Sequence, residues 1–274
     1  MTDPPDATRK RTLDDALAIM RDLRTRDAWD KAQTHESLRP YLNEEAHELD
    51  DALRDGDDAA MKSELGDVLL QVLFHAIIAE ERGAFDVNDV AGSLVQKMTV
   101  RHPWLYGKKA DGSGQLAERE PWEKMKSKKR ETLAEGLPAG LPALHRAHRL
   151  QERAAGVGFD WPDVRGPADK VREELAEVEA EITKHGAKFD THGVPSADPR
   201  HAALEAELGD LLFAVVNLCR KAGTHPSLAL DKANAKFQAR FEAIEKLAAA
   251  RGIDVRTAGL EALDKLWDEV KAGE

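Results

Sequence analysis

The 274-residue sequence has few of the features that mark secreted, membrane-bound or nucleic-acid-coating proteins. Its single cysteine, Cys219, cannot form an internal disulfide, and its position in an apolar run predicts a buried thiol in a reducing cytoplasm. The polar residues 1–11 lack the apolar core of a signal peptide, so secretion is not indicated. The longest nearly apolar run, residues 68–79, is too short to span a bilayer, and we expect no membrane partner.

Positive charge is also scarce. The chain has 40 Lys and Arg residues against 51 Asp and Glu residues, a formal net charge of −11. This balance argues against a protein that holds a nucleic-acid polymer on a broad basic face. Small polyanions can still bind through a metal ion and a few local cations. A glycine loop of the Walker type, which would cradle phosphates, is absent from the sequence.

No alternating strand pattern stands out, whereas apolar residues recur at helical spacing along most of the chain, so the predicted fold class is all-α. Residues 29–35 are aperiodic and predicted to be loop. Two glycines and two prolines between 136 and 142 break the pattern and indicate a domain boundary. We therefore predict a flexible tail at 1–11, a helical bundle domain at 12–134, a linker at 135–142 and a second helical bundle domain at 143–274.

A pattern of acidic residues occurs twice in this chain. Glu-Glu-x-x-Glu at 44–48 is followed by Glu-x-x-Asp at 64–67, and the same two motifs recur at 173–177 and 207–210. Residues three or four apart share a helix face, so antiparallel helices would bring the acids of each copy together. Two like charges at ~4 Å repel by roughly 4 kcal/mol at an effective dielectric of about 20. Such a cluster requires a cation, and a hard one such as Mg²⁺ fits best.

The repeat extends beyond the acids, which weakens the ordinary interpretation of a solvated helix face. Each half continues with a Lys and an Arg one helical turn apart and then with a tryptophan that precedes a lysine. Arg can grip two phosphate oxygens at once, and an exposed tryptophan face can stack on a nucleobase. Lys236 and Arg240 on their own would be an ordinary exposed pair, and Trp267 on its own would be a core anchor.

Histidines suggest other interpretations, which the repeat disfavours. Glu44 and His47 form the Glu-x-x-His of di-iron proteins, but the matching place in the second half is Glu177. His75 lies on the same helical face as Asp67, but the corresponding position in the second half is Leu218, which cannot bind a metal. We therefore predict that His75 is a hydrogen-bonded core histidine.

These motifs resemble the MazG nucleoside triphosphate pyrophosphohydrolases in their tandem form, from about Leu13 to Lys271. The resemblance implies an all-α homodimer that hydrolyses nucleoside triphosphates, canonical or deoxy, to monophosphate and pyrophosphate with Mg²⁺, for which Mn²⁺ can substitute. It places metal ligands at Glu174, Glu177, Glu207 and Asp210, with counterparts at Glu45, Glu48, Glu64 and Asp67. It places phosphate contacts at Lys236 and Arg240 and base stacking at Trp267, with counterparts at Lys97, Arg101 and Trp122. In this family the C-terminal copy is usually credited with the activity. Arg26, Asp27 and Ala28 stand where tandem members have Gly-Cys-Pro, which leaves the geometry of that loop open.

The expected chemistry is metal-assisted attack of water on the α-phosphorus, with charge on the leaving pyrophosphate neutralised by Lys236 and Arg240. Glu173 or Glu174 is the expected general base, and spacing does not choose between them. A metal-nucleotide binding or signalling module without turnover is the main alternative, and a helical interaction protein is a third. Removal of non-standard nucleotides is a hypothesis about role, because the sequence does not select a base.

Overall fold

A computed structural model describes residues 10–106, 124, 130–186 and 199–273. Every regular element within these ranges is helical, so the all-α prediction is confirmed. The chain divides into two compact units, Met1–Arg119 and Glu120–Glu274. The predicted linker 135–142 lies in the second unit, where Arg153 donates hydrogen bonds to the carbonyls of Leu133 and Glu135 (2.8 and 2.9 Å). The predicted domain limits remain a prediction.

The described part of the first unit contains helices α1 (Leu13–Arg26), α2 (Ala28–Ala32), α3 (Arg39–Asp55), α4 (Asp58–Glu81), α5 (Val87–Arg101) and α6 (Pro103–Tyr106). Helix α4 packs against α1, α3 and α5. Its buried residues Leu73, Phe74 and Ile77 join Met20 and Leu38 in one core cluster. The second acid motif of the first copy therefore lies at the N-terminal end of the central helix.

Residues 29–35 are not all loop as predicted. The carboxylate of Asp27 accepts hydrogen bonds from the backbone N–H groups of Trp29 and Asp30 (2.8 and 3.1 Å). This N-cap satisfies donors that a first turn leaves open, and it explains the short helix α2. A five-residue helix is too short to show hydrophobic periodicity, which is why the sequence pattern missed it.

The second unit contains α7 (Ala143–Gly156), α8 (Arg165–His185), α9 (Pro199–Lys221), α10 (Pro226–Ala250) and α11 (Leu260–Ala272). Helices α8 and α9 form the most extensive pair, and α7 packs against both α9 and α10. Ile244, Ala248 and Leu266 form a buried cluster between α10 and α11. The predicted burial of Cys219 on α9 is only partly met, because this thiol side chain is half-buried.

Candidate active site

The first acidic cluster is formed by two adjacent helices that a tight turn connects. Helix α3 ends at Gly56, whose φ of 71° lies in the left-handed region that glycine adopts without strain, and Asp57 then caps α4. This turn sets Glu45 and Glu48 of α3 against Glu64 of α4. One carboxylate oxygen from each of these three residues lies within 4.8 Å of the others.

Burial and electrostatic repulsion both raise the pKa of carboxyl groups in this cluster. Burial raises the pKa of Glu45, and the charges of Asp67 and Glu48 raise it further. Burial and the neighbouring charge of Glu48 likewise raise the pKa of Glu64. The fourth predicted acid, Asp67, thus acts on the same cluster. Both shifts favour the protonated form, so a bound cation would relieve the repulsion.

The second copy forms a matching cluster between α8 and α9. Glu174, Glu177 and Glu207 each present a carboxylate oxygen within 4.8 Å of the others. Glu174 is buried, with 4% of the residue exposed, whereas Glu177 is exposed. Asp210 lies one turn after Glu207 and lines a cavity together with Glu174. The helix pairing that the sequence pattern assumed is therefore present in both units.

A lysine that sequence reasoning missed distinguishes the second cluster from the first. The ammonium of Lys170 lies 2.8 Å from Glu173 and 2.5 Å from Glu174. Hydrogen bonds to Glu173 and then Glu174 raise the pKa of Lys170. Its hydrogen bond also lowers the pKa of Glu174, and the ionised Glu174 in turn raises the pKa of Glu177. The signal was available as a Lys-to-Glu spacing of four on one helix.

A cavity of about 430 Å³ adjoins this second cluster. Its wall is largely aromatic and aliphatic, with Phe159, Trp161 and Phe213 beside the polar side chains of Asn217 and Arg220. Lys170, Glu174 and Asp210 belong to the same lining. Ligand sites combine an apolar wall with a few polar groups in this way, so the cavity can take a flat organic group next to the acids.

Ionic contacts hold the loop that supplies the aromatic wall. Arg220 and Lys221 of α9 both contact the carboxylate of Asp160, Lys221 at 2.9 Å. Burial alone would raise the pKa of Asp160, but hydrogen bonds from these two cations lower it overall. The neighbours of Asp160 in the chain are Phe159 and Trp161, so this interaction fixes two walls of the cavity to α9.

The predicted phosphate and base contacts lie on the helices that follow the acids. Lys236 and Arg240 are on α10 and Trp267 is on α11. The guanidinium of Arg240 lies over the indole of Trp267 at 5.6 Å, and Phe237 packs against the same ring at 5.5 Å. Trp267 also packs against the α10/α11 core cluster and is half-buried, so it anchors the core and still has an exposed part.

In the first unit, the counterparts of this cation pair lie together on one helix. Lys97 and Arg101 are on α5, one turn apart. Trp122 lies outside the described residues. Within the described ranges, none of the helices is long and apolar enough to cross a membrane.

Comparison with known proteins supplies two kinds of similarity. A model of the MazG nucleotide pyrophosphohydrolase domain matches residues 33–106, the part of the first unit that carries Glu45, Glu48, Glu64 and Asp67. Full-length relatives cover both copies. The nucleoside triphosphate pyrophosphohydrolase of Escherichia coli K12 is 40% identical over 271 residues, which is 96% of this chain and 98% of that protein.

Two further relatives are similar to nearly the whole of this chain. The nucleoside triphosphate pyrophosphohydrolase/pyrophosphatase MazG of Thermotoga maritima is 42% identical over 269 residues and 96% of each chain. The uncharacterized protein YabN of Bacillus subtilis is 41% identical over 265 residues, covering 94% of this chain but only 51% of that protein. The similarity therefore extends across both acidic clusters.

Proposed function

The chain belongs to the MazG family of nucleoside triphosphate pyrophosphohydrolases, and on this premise we propose where and how it hydrolyses ribo- and deoxyribonucleoside triphosphates at the α-phosphorus. It is a hydrolase acting on phosphoric anhydrides, and its products are a nucleoside monophosphate and pyrophosphate. The observation that carries the proposed site is the second cluster, where Glu174, Glu177 and Glu207 converge beside Lys170 and a cavity with room for a nucleobase.

The donor set of the second cluster fits a hard divalent cation. Its members Glu174, Glu177 and Glu207, with Asp210 on the next turn, offer carboxylate oxygens, which Mg²⁺ prefers and Mn²⁺ also accepts. Bound there, Mg²⁺ would supply a more acidic water and neutralise phosphate charge. Glu45, Glu48, Glu64 and Asp67 would form the equivalent site in the first unit.

Lys170 gives the second site a cation of its own. In the described structure its ammonium is engaged by Glu173 and Glu174. A metal ion at the carboxylates would compete with Lys170 for Glu174. The ammonium of Lys170 could then donate a hydrogen bond to a triphosphate oxygen. Lys236 and Arg240 of α10 are proposed to contact the remaining phosphate charge, with Arg providing the two-pronged contact.

Glu173 is the better of the two proposed general bases. Glu174 is buried among the ligand carboxylates, whereas Glu173 is exposed and lies outside the three-residue cluster. A base must reach the attacking water without being bound to the metal itself. The hydrogen bond from Lys170 to Glu173 keeps this carboxylate close to the cluster.

Two tryptophans compete for the nucleobase. Trp267 is the proposed stacking residue from the motif match, with Trp122 as its counterpart in the first copy and Lys97 and Arg101 as the counterparts of the phosphate contacts. Trp161 lines the same cavity as Glu174 and Asp210. Replacing each in turn decides between them.

A homodimer is supported by an apolar stripe that both units leave uncovered. Leu65, Leu69 and Val72 follow one face of α4, and Leu208, Leu212 and Val215 follow the corresponding face of α9. All six side chains are exposed. Side chains at spacing i, i+4, i+7 form a continuous helix face, and a face of this kind normally packs against another helix. A second copy of the chain is the proposed partner.

The proposed location is the cytoplasm, because the chain has one cysteine and no disulfide framework. No nucleic-acid polymer or membrane is proposed as a partner. Removal of non-standard nucleotides is the proposed role, and a turnover panel that shows no preference for an altered base over the four canonical ones would contradict it.

Product analysis tests the proposed reaction. With Mg²⁺, we expect pyrophosphate and nucleoside monophosphate in equal amounts, and with EDTA we expect neither. Release of single phosphates would contradict attack at the α-phosphorus. Nucleotide binding in calorimetry without pyrophosphate would instead support the alternative of a non-catalytic metal-nucleotide module.

A further inference from the structure

An asparagine in the wall of the second-unit cavity has a side-chain amide whose orientation is fixed by its neighbour. Asn217 is buried on α9, with 9% of the residue exposed, and it lines the cavity. Its Oδ1 accepts hydrogen bonds from Nε and Nη2 of Arg220, at 2.9 and 2.8 Å. A guanidinium can only donate, so the amide must turn its oxygen towards Arg220.

The NH₂ group of Asn217 is consequently the part of the amide that remains available. Within the described ranges Nδ2 makes no hydrogen bond to the protein, and it is not shut off from solvent. Because Asn217 lines the cavity, solvent reaches this nitrogen from there. Asn217 therefore offers N–H donors to a molecule that occupies the cavity.

The other polar side chains of the wall do not offer an acceptor in its place. Apart from the acids and their lysine, the described residues of the lining include Arg220 and Gln151. Arg220 can only donate, and its guanidinium is engaged by Asn217 and Asp160. Gln151 donates Nε2 to a backbone carbonyl of α9 at 2.8 Å, and its Oε1 is buried away from solvent. The accessible amide in this wall is thus a donor.

Helix geometry places this donor two turns beyond the acidic cluster. Asp210 and Asn217 are seven residues apart on α9, so they share a face and are about 10 Å apart along the axis. A nucleotide with its phosphates at the acids and its base in the cavity would point the far edge of the base towards Asn217. In that edge uracil and guanine carry a carbonyl, whereas cytosine and adenine carry an amino group.

We propose that Asn217 selects nucleoside triphosphates whose base has a carbonyl at C4 of a pyrimidine or C6 of a purine. Arg220 is a positioning residue that keeps the donor turned towards the base. An amino group at the same position would meet Nδ2 donor to donor and would leave a buried donor unpaired. The inference rests on the proposed function, with the base in the cavity that Trp161 lines.

The first copy does not repeat this arrangement. The residue seven positions after Asp67 is Phe74, which is 2% exposed and belongs to the core cluster of the first unit. The position that corresponds to Arg220 is Ile77, also in that cluster. Selection by this amide is therefore a property of the second site.

Two pairs of nucleotides that differ at the selected position test the inference. UTP and CTP form one pair, and ITP and ATP form the other. With full-length protein and Mg²⁺, we expect kcat/KM for pyrophosphate release to be at least about fivefold higher for UTP and ITP than for their amino partners, which is the lower end of the cost of an unpaired buried donor. Equal kcat/KM within either pair would overturn the selection and leave the hydrolysis itself established.

A binding measurement separates this inference from the proposed reaction. The α,β-methylene analogues of UTP and CTP cannot release pyrophosphate, so their dissociation constants report recognition without turnover. We expect the UTP analogue to bind more tightly by a similar factor. Absence of pyrophosphate from all four nucleotides would contradict the proposed function, whereas equal dissociation constants of the two analogues would contradict the role of Asn217.

Replacing the amide should change the preference in a defined direction. Asn217→Asp exchanges the donor for an acceptor of the same size and still accepts from Arg220, so it should reverse both preferences. Asn217→Leu removes the hydrogen bond and should bring both ratios close to one. Asn88→Asp, the same change at an exposed position of the first unit, is the control and should keep both ratios. Wild-type ratios in both Asn217 variants would refute the assignment.

The positioning role of Arg220 has its own test. In Arg220→Met the amide is free to turn either end towards the base, while Lys221 still contacts Asp160 at 2.9 Å. Both ratios should then fall towards one. A purely structural role would change kcat/KM for the two members of each pair equally, so wild-type ratios in this variant would refute the positioning role.

Discussion

The ammonium nitrogen of Lys170 lies 2.5 Å from a carboxylate oxygen of Glu174, the buried member of the second acidic cluster. Counting back from Glu45, the equivalent position in the first copy is Tyr41, which cannot neutralise a carboxylate. Burial and then repulsion by neighbouring acids raise the pKa of Glu45, whereas the hydrogen bond from Lys170 lowers the pKa of Glu174. The two copies therefore differ electrostatically even though both have every motif residue.

Removing Lys170 should tighten Mg²⁺ binding. In Lys170→Gln the cation no longer competes for Glu174, so we expect a lower Kd for Mg²⁺ in the absence of nucleotide. Calorimetry in a Glu64→Gln background reports on the second cluster alone. Arg172→Gln is the control, because Arg172 is paired with Asp169 on the same helix. An unchanged or higher Kd would show that Lys170 does not oppose the ion. Turnover should nevertheless fall, since the triphosphate loses a cation.

Replacing one acidic residue at a time with the uncharged glutamine should show which copy catalyses. We expect Glu207→Gln to lower kcat by about 100-fold or more, because loss of a direct metal ligand should exceed the 10- to 100-fold effect of an outer-shell residue. Glu64→Gln should have a much smaller effect on steady-state turnover. Glu205→Gln, exposed on the same helix as Glu207, is the control. The opposite ranking of the two ligand variants would transfer the assignment to the first unit.

Alanine substitution should identify the stacking tryptophan. Base–aromatic stacking is worth about 1–3 kcal/mol, so loss of the stacking ring should raise KM by roughly 5- to 150-fold. We expect Trp161→Ala to have this effect because Trp161 lines the cavity beside the acids. If Trp267→Ala raises KM and Trp161→Ala does not, the base lies on α11 instead.

A glycine provides a second way to displace the same ring. A Cβ added at Gly166 would overlap the indole of Trp161, whereas one at Gly140 would meet nothing within 4 Å. Gly166→Ala should therefore reproduce the KM increase of Trp161→Ala without altering the acidic residues, and Gly140→Ala should leave KM unchanged.

Stability of the first unit should depend on pH through a histidine pair. The Nδ1 atoms of His35 and His75 are 2.9 Å apart, so one ring must donate and the other accept, and both cannot be protonated. This pair confirms the predicted hydrogen-bonded histidine at 75. Burial and the proximity of His35 lower the pKa of His75 below 6.5.

The unfolded state consequently binds more protons than the folded state below that pH. The contribution of this pair to the free energy of unfolding should be complete above about pH 7. It should decrease as the pH falls through about 6.5 towards the lowered pKa of His75. Urea denaturation between about pH 8 and pH 5 measures this. The double variant His35→Phe, His75→Phe should show a shallower decrease. His148 and His225 contribute with the same sign, so some pH dependence should remain. If the free energy of unfolding of the double variant decreases with pH as steeply as that of the wild type, this histidine pair does not cause the pH dependence.

The exposed stripes should determine the oligomeric state. We expect a dimer in sedimentation equilibrium, and Leu69→Glu or Leu212→Glu should shift it towards monomer because a buried unpaired charge is costly at a helix interface. Leu260→Glu is the control, since Leu260 is 84% exposed but lies outside both stripes. A wild-type monomer would contradict the proposed dimer.

The sequence determined the helical class and the doubled acidic motif, because both depend on local periodicity. Apolar residues at helical spacing predicted the long helices, and carboxylates three residues apart had to share a face. The start of α1 is likewise set locally, because Thr12 and Asp15, three residues apart, form both hydrogen bonds of a capping box. Family membership followed from these motifs.

Only the tertiary structure decided which residues distant in the chain meet. The cavity combines Phe159 and Trp161 from a loop with Phe213 and Asn217 from α9, residues more than 50 positions apart in the chain. The rings of His148 and His225, whose centroids are 4.6 Å apart, likewise meet although neither residue belongs to a recognisable motif. Such sites depend on which helix faces meet, and the distances between those faces are set by packing of the whole bundle rather than by any local pattern.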